Sequence, residues 1–215
     1  MLPRARERTK ERESARRHLR KDPVLARVIA RYPDFDPREW LSELPKLDAF
    51  GTLVFQVIGQ QLSVKATRVI LERLRELFHG RMPTPRQVLT ARASRLRKAG
   101  LSARKVATLR ALAKKFIRER LTLAKLTKLS DDDILTLLTS VSGIGPWTVQ
   151  GFLIIALDRA DVVLPGDLAL RRAIKQAYAF DRLPSPDEVL ERSQAWRPHR
   201  SLATAYLFRA AFDGN

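Results

Sequence analysis

The chain of 215 residues is long enough for one large domain or two small lobes that share a cleft, and its apolar content of 45% is ordinary for a globular protein. Its formal net charge of +18 predicts a polyanionic partner, nucleic acid before an acidic membrane surface. The absence of cysteine excludes disulfides and thiolate metal sites, and no apolar run reaches the ~18 residues of a membrane span. No secretory signal is recognisable either, so we expect a cytoplasmic protein.

The chain begins with a basic segment. Residues 1–20 are rich in arginine and have no apolar stripe before Leu19, which predicts a basic, flexible tail. A folded domain is expected to cover residues 21–215. Within it, apolar residues recur at helical spacing and loops are short. Residues 161–164 form the one candidate strand, so we predict an all-α protein of about ten helices.

Residues 138–172, LTSVSGIGPWTVQGFLIIALDRADVVLPGDLALRR, contain the most informative pattern in the chain. Gly143 and Gly145 bracket Ile144 in a tight turn between a helix opened by Ser130 and a helix started by Pro146. The first N–H groups of the second helix have no partner inside the helix, and they lie at the positive end of its dipole. This arrangement predicts an anion site, and in so basic a chain the expected anion is a DNA phosphate.

Asp167 follows Leu164-Pro165-Gly166 and precedes another run of helical spacing. That position is typical of a helix N-cap, where the dipole favours an ionised carboxylate. Taken alone, such an aspartate is more often a simple cap than a catalytic group. Because it follows the hairpin, we predict that the hairpin grips the DNA backbone and that Asp167 performs the chemistry.

Four blocks of sequence resemble the helix-hairpin-helix DNA glycosylases with a Gly/Pro-Asp signature, in their alkylpurine branch, the 3-methyladenine DNA glycosylase II family. The blocks are HLRKDPVLARVI (18–29), GQQLSVKA (59–66), SGIGPWT with VVLPGDLALRRA (142–173) and WRPHRSLATAYLF (196–208). The resemblance implies two helical lobes flanking a cleft, with the DNA-binding motif at about 131–172. It also implies a monomer acting on the bacterial chromosome, and too few residues precede position 18 for the N-terminal α/β domain of some members.

The resemblance assigns roles residue by residue. Asp167 matches the family's catalytic aspartate. Trp147 stands where lyase-active relatives carry a lysine, so the resemblance implies a monofunctional enzyme. Trp147 and Phe208 match aromatic residues of the base pocket, whereas two further family aromatics fall on Gly151 and Leu168, which implies a roomier pocket.

The remaining matches concern the DNA backbone and the duplex. Gln61 and Leu62 match the wedge that fills the gap left by a flipped nucleotide. Backbone amides matching phosphate-binding positions belong to Gly143, Gly145 and Thr148. Backbone carbonyls matching a monovalent cation site belong to Thr139, Val141 and Ile144, and no other cofactor is expected.

These assignments predict a monofunctional glycosylase of base excision repair that flips and hydrolytically excises alkylated purines such as 3-methyladenine from duplex DNA, leaving an abasic site. The chemistry agrees, because alkylation makes the base a cationic leaving group and one carboxylate then suffices to stabilise the developing sugar cation. Two alternatives remain open. One is a glycosylase for ethenoadenine, hypoxanthine or an N1- or N3-methylated base, and the other is a non-enzymatic DNA-binding module.

Overall fold

The computed structural model of the protein describes residues 5–212, with side chains from residue 10 onward except that of Trp40. The backbone in this range is helical and has no strand, which confirms the all-α prediction. Residues 161–164 lie in an irregular loop. None of the described helices is both long and apolar enough to cross a membrane.

The described residues form thirteen α-helices and two short 3₁₀ helices. The excess over ten comes from short helices beside the longer ones. In chain order the α-helices are α1 (Ala5–Leu19), α2 (Pro23–Arg31), α3 (Ala49–Gly59), α4 (Val64–Glu76), α5 (Pro85–Thr90), α6 (Ala93–Lys98), α7 (Ala103–Arg118), α8 (Leu123–Leu126), α9 (Asp131–Thr139), α10 (Pro146–Leu157), α11 (Leu168–Ala177), α12 (Pro186–Ser193) and α13 (Arg200–Ala211).

The chain divides into two compact units. The central unit is Leu44–Asp158. The terminal unit combines Met1–Glu43 with Arg159–Asn215. The hairpin and Trp147 therefore belong to the central unit, whereas Asp167 and Phe208 belong to the terminal unit.

Helix α3 forms the middle of the central unit. Its residues are apolar on nearly all sides, a pattern typical of a fully buried helix, and it packs against α4, α7 and α10. Serine side chains cap the neighbouring helices as the sequence predicts: Ser63 begins α4, Ser102 begins α7 and Ser130 begins α9. Helix α10 of the hairpin thus packs on the buried α3, and α9 packs on α10.

The N-terminal segment, predicted to be a flexible tail, is helical in the structure. Residues 5–19 form α1, and Ala15 and Leu19 are only 5% and 1% exposed. Arg16 donates hydrogen bonds to the Tyr206 hydroxyl at 2.8 Å and the Phe35 carbonyl at 2.9 Å. The prediction of a flexible tail is therefore wrong for residues 10–19. It failed because Ala15 and Leu19, one helical turn apart, are the only buried apolar side chains among residues 10–19, which is too short a pattern to recognise. Residues 1–4 lie outside the described range.

A partly buried hydrogen-bond network joins α2, α11 and Trp196 in the terminal unit. Asp22 caps α2 with one carboxylate oxygen and accepts a hydrogen bond from the Tyr178 hydroxyl at 2.7 Å with the other. The fully buried Trp196 donates to the same hydroxyl at 3.2 Å. Burial, followed by the hydrogen bond to Asp22, raises the pKa of Tyr178. The network fixes the end of α11, the helix that Asp167 begins.

Candidate DNA-binding and catalytic site

Gly143 shapes the turn of the hairpin. Its φ of +88° lies in the left-handed region that favours glycine. A Cβ at this position would collide with the Thr108 hydroxyl oxygen on α7. Two independent constraints therefore require glycine here, one from the backbone and one from the close approach of α7.

Gly145 is different. It is the N-cap of α10 with a φ of −104°, and no side chain caps this helix end. Gly145 is exposed, and a Cβ there would meet nothing within 4 Å. The expected positive φ thus applies to Gly143 only. The start of α10 beside Gly145 is open, as contact with a phosphate would need.

Thr148, whose N–H is predicted to bind a phosphate, lies in the first turn of α10. The residue is only 1% exposed, and its N–H donates to the Gly145 carbonyl at 3.0 Å. Its hydroxyl oxygen accepts a hydrogen bond from Gln60 Nε2 at 2.9 Å. The buried Thr148 thus ties the first turn of α10 to Gln60, and the phosphate-binding role of Gly143, Gly145 and Thr148 stays a prediction.

The predicted wedge residues lie in the turn between α3 and α4. Gln61 is exposed and has a φ of +59°, and Leu62 is 40% exposed. Ser63 then caps α4 by accepting a hydrogen bond from the Ala66 amide. An exposed leucine in a short turn suits insertion into a base stack, although the wedge role stays a prediction.

Gln60 and Lys105 attach this turn to the rest of the central unit. Gln60 Nε2 donates to the Gly143 carbonyl at 3.0 Å as well as to Thr148. Lys105 Nζ donates to the carbonyls of Ile58 at 2.8 Å and Gln60 at 3.0 Å, and burial lowers the pKa of Lys105. Sequence reasoning missed both residues, because their partners lie dozens of positions away. Gln60 therefore links the candidate wedge turn to the candidate phosphate site, and Lys105 fixes the end of α3 and the start of this turn.

Helix α10 carries Trp147 and Gly151 one turn apart on one face. Trp147 is half-buried. Gly151 is buried, and a Cβ there would lie 2.6 Å from Gln56 Oε1 on α3. The expectation of extra room at position 151 is therefore wrong, because the Gln56 side chain occupies that space.

Asp167 is the N-cap of α11, as the sequence predicts. Its Oδ1 accepts a hydrogen bond from the Leu170 amide at 2.7 Å, and the residue is half-buried. The neighbouring Leu168 is 46% exposed. Phe208 on α13 is also half-buried, and its ring lies 6.1 Å from that of Phe212. The carboxylate is thus fixed by the backbone, while its catalytic role stays a prediction.

The loop before Asp167 is held by the start of α13. Arg200 donates to both carboxylate oxygens of Asp161, at 2.7 and 3.1 Å, and to its carbonyl at 2.7 Å. Arg197 adds a contact to the same carboxylate at 3.1 Å. Burial acts to raise the pKa of Asp161, but these arginines outweigh it and the pKa is lowered. Sequence analysis did not identify this anchor.

The carbonyls predicted to bind a cation lie in the hairpin turn. The Val141 carbonyl accepts a hydrogen bond from the Ile144 amide at 3.0 Å, which leaves its second lone pair for another partner. Carbonyl oxygens suit monovalent cations, and the cation site at Thr139, Val141 and Ile144 stays a prediction. No cluster of three or more His, Asp or Glu residues in the described range could hold a metal.

Comparison with known proteins gives the class. A family model described as "HhH-GPD superfamily base excision DNA repair protein" matches residues 54–198. The chain is 31% identical over 170 residues to DNA-3-methyladenine glycosylase 1 of Schizosaccharomyces pombe, an alignment that covers 78% of this chain and 75% of that protein. The chain therefore belongs to the HhH-GPD superfamily of base excision DNA repair proteins.

Two further comparisons extend this result. A putative DNA-3-methyladenine glycosylase of Bacillus subtilis, YfjP, is 31% identical over 160 residues, which cover 72% of this chain and 56% of the longer relative. Among solved structures, S. pombe 3-methyladenine DNA glycosylase in complex with abasic DNA matches with a TM-score of 0.85 and 29% identity. That match covers 92% of this chain and 96% of the other.

Proposed function

We propose that this protein excises alkylated purines such as 3-methyladenine from duplex DNA and leaves an abasic site. The observation that carries the proposal is Asp167, a carboxylate fixed by the Leu170 amide within the region that matches the family. The names of the relatives, DNA-3-methyladenine glycosylases, support the same substrate class.

The proposed mechanism starts with a flipped nucleotide. Flipping costs a few kcal/mol, least at damaged pairs, and the exposed Leu62 would hold the gap open. Amides at the start of α10 would hold the backbone phosphate. The cationic purine would lie against the Trp147 indole, a contact worth roughly 0.5–2 kcal/mol.

Bond cleavage then needs one carboxylate. When the glycosidic bond breaks, its electron pair leaves with the alkylated base, which becomes neutral. Positive charge develops on the sugar, and the Asp167 carboxylate stabilises that charge. Water attacks the anomeric carbon, and Asp167 orients the water or accepts its proton.

We further propose that the reaction is purely hydrolytic. A lyase reaction needs a side-chain amine to form a Schiff base with the sugar, and the indole of Trp147 provides none at the position where lyase-active relatives have lysine. A monovalent cation at the carbonyls of Thr139, Val141 and Ile144 would add positive charge between hairpin and phosphate.

The decisive variant is Asp167→Asn. Asparagine is as good an N-cap as aspartate, so the fold and the melting temperature should be unchanged. The negative charge is lost, and single-turnover release of 3-methyladenine from methylated duplex should fall at least ~100-fold. Asp187→Asn, at the exposed first turn of α12, removes the same charge elsewhere and should leave release unchanged.

Other outcomes of this assay are informative. Near-wild-type release by Asp167→Asn would contradict the mechanism. Tight duplex binding by the wild type with no release of any alkylated base would favour the non-enzymatic alternative. Strand cleavage of the product without added alkali would contradict the hydrolytic proposal.

A further inference from the structure

Gln56 is a buried polar side chain whose amide finds no hydrogen-bond partner among the residues that the structure describes. It is 6% exposed in α3, where its inward neighbours are apolar, and it makes no hydrogen bond to any described residue. Its amide is not among the fully enclosed polar atoms that lack a partner, so it still reaches solvent. The amide therefore keeps a small contact with solvent, although the residue as a whole is buried.

An unpaired amide at such a position destabilises the fold, because it loses water without gaining a replacement. Leucine or methionine would fill the same space without this loss. Native structures rarely leave buried polar groups unsatisfied, and those that do call for an explanation. A ligand that supplies the missing hydrogen bonds would be such an explanation.

The amide lies against one particular face of α10. A Cβ at Gly151 would lie 2.6 Å from Gln56 Oε1 and 2.7 Å from Nε2, so only glycine allows this approach. Gly151 is one turn after Trp147 on the same helix face. The unpaired amide and the indole proposed to hold the base are therefore neighbours within the central unit.

We propose that Gln56 determines specificity by hydrogen bonding to the polar edge of the flipped purine, an inference that rests on the proposed function. A carboxamide offers one donor and one acceptor side by side. 3-Methyladenine presents a ring-nitrogen acceptor beside an amino donor, and 7-methylguanine presents a ring N–H donor beside a carbonyl. The amide can turn over to match either edge.

Ethenoadenine is the informative contrast. Its extra ring joins the amino nitrogen to the adjacent ring nitrogen, so the donor–acceptor edge is blocked. A buried group built to hydrogen-bond a substrate rejects an analogue that lacks the matching groups, because its own polar atoms stay unpaired. Gln56 thus selects purines with an open edge and disfavours ethenoadenine.

The test measures kcat/KM for the release of 3-methyladenine and of ethenoadenine by the wild type and by the Gln56→Met variant. Methionine has nearly the same length and shape as glutamine but no amide. We expect the kcat/KM for 3-methyladenine to fall about tenfold, the loss of roughly one to two hydrogen bonds, and that for ethenoadenine to stay equal or rise. Gln87→Met is the matched control: it breaks the capping box of α5, lowers the melting temperature and leaves the substrate ratio unchanged.

An unchanged ratio in Gln56→Met, even with both rates reduced, would overturn the inference, because a purely structural role affects both substrates alike. If Gln56→Met does not fold, Gln56→Leu replaces it. Should the wild type release no alkylated purine, the proposed function fails. In that case, free 3-methyladenine and free ethenoadenine are titrated calorimetrically into the complex of the protein with abasic duplex. A preference of the wild type for 3-methyladenine that Gln56→Met abolishes would support the inference. Equal binding of the two bases by the wild type would overturn it.

Discussion

At the scale of single residues, the two hairpin glycines separate folding from DNA binding. Gly143→Ala places a Cβ on the Thr108 hydroxyl at a positive φ, so it should destabilise the fold by more than about 2 kcal/mol. Gly145→Ala adds a methyl group to open space at a negative φ, so stability should change by less than about 0.5 kcal/mol. Its affinity for duplex DNA should fall several-fold, because the methyl group obstructs a phosphate at the start of α10.

Thermal melting and fluorescence anisotropy with an undamaged duplex measure the two effects. Unaltered affinity in Gly145→Ala would show that no phosphate approaches this glycine.

Local patterns explain which residues were predictable. The turn at Gly143 and the helix cap at Asp167 depend on local backbone geometry, so spacing in the sequence was enough to place both, whereas the contact of Gly143 with Thr108 was not predictable. Thr148, Gln60 and Gln56 act through contacts between distant segments. The hydrogen bond from Gln60 to Gly143 spans 83 positions, and no local pattern reports it.

At the scale of helices and loops, caps were predictable and packing partners were not. Ser63, Ser102 and Ser130 begin helices because each hydroxyl accepts from an amide three residues on. Helix α1 was missed because Arg16 and two small contacts hold it, not a continuous apolar stripe. The structure of the loop before Asp167 was not predictable either, because Arg200 on α13, 39 positions away from Asp161, holds it in place.

That loop gives a pH-dependent prediction. The pKa of Asp161 lies below its ordinary value of 3.8, because Arg200 and Arg197 outweigh the effect of burial. The ion pair therefore stabilises the fold fully at pH values above the ordinary pKa of 3.8. This stabilisation is lost as the pH falls through the lowered pKa of the folded state. Asp161→Asn should cost roughly 1–3 kcal/mol at neutral pH and should flatten the acid-induced fall in melting temperature.

Melting temperatures measured between about pH 2 and 7 test this linkage, with Asp34→Asn, an exposed change in the same unit, as control. A wild type and an Asp161→Asn variant with parallel acid profiles would show that this pair does not carry the effect.

At the scale of the whole molecule, the positive charge is concentrated in one stretch of the central unit. Residues 81–128 contain fifteen Lys and Arg residues and a single acidic residue, Glu119, which accounts for +14 of the net +18. Most of these basic side chains are exposed. Sequence composition predicted a polyanion partner, but the division into units shows that the hairpin and this basic segment belong to the same unit.

If duplex DNA lies against this segment, binding must release counterions from the phosphates it neutralises. The logarithm of the affinity should then fall linearly with the logarithm of salt concentration, and each lost contact should reduce the slope by about 0.9. Replacing the exposed Arg95, Arg97 and Lys98 by glutamine should therefore reduce the slope by up to about 3. A matched triple on the terminal unit, Lys21, Arg27 and Lys175 to glutamine, removes the same charge and should change the slope less. Equal changes in both triples would mean that net charge alone, and not its position in the central unit, sets the affinity.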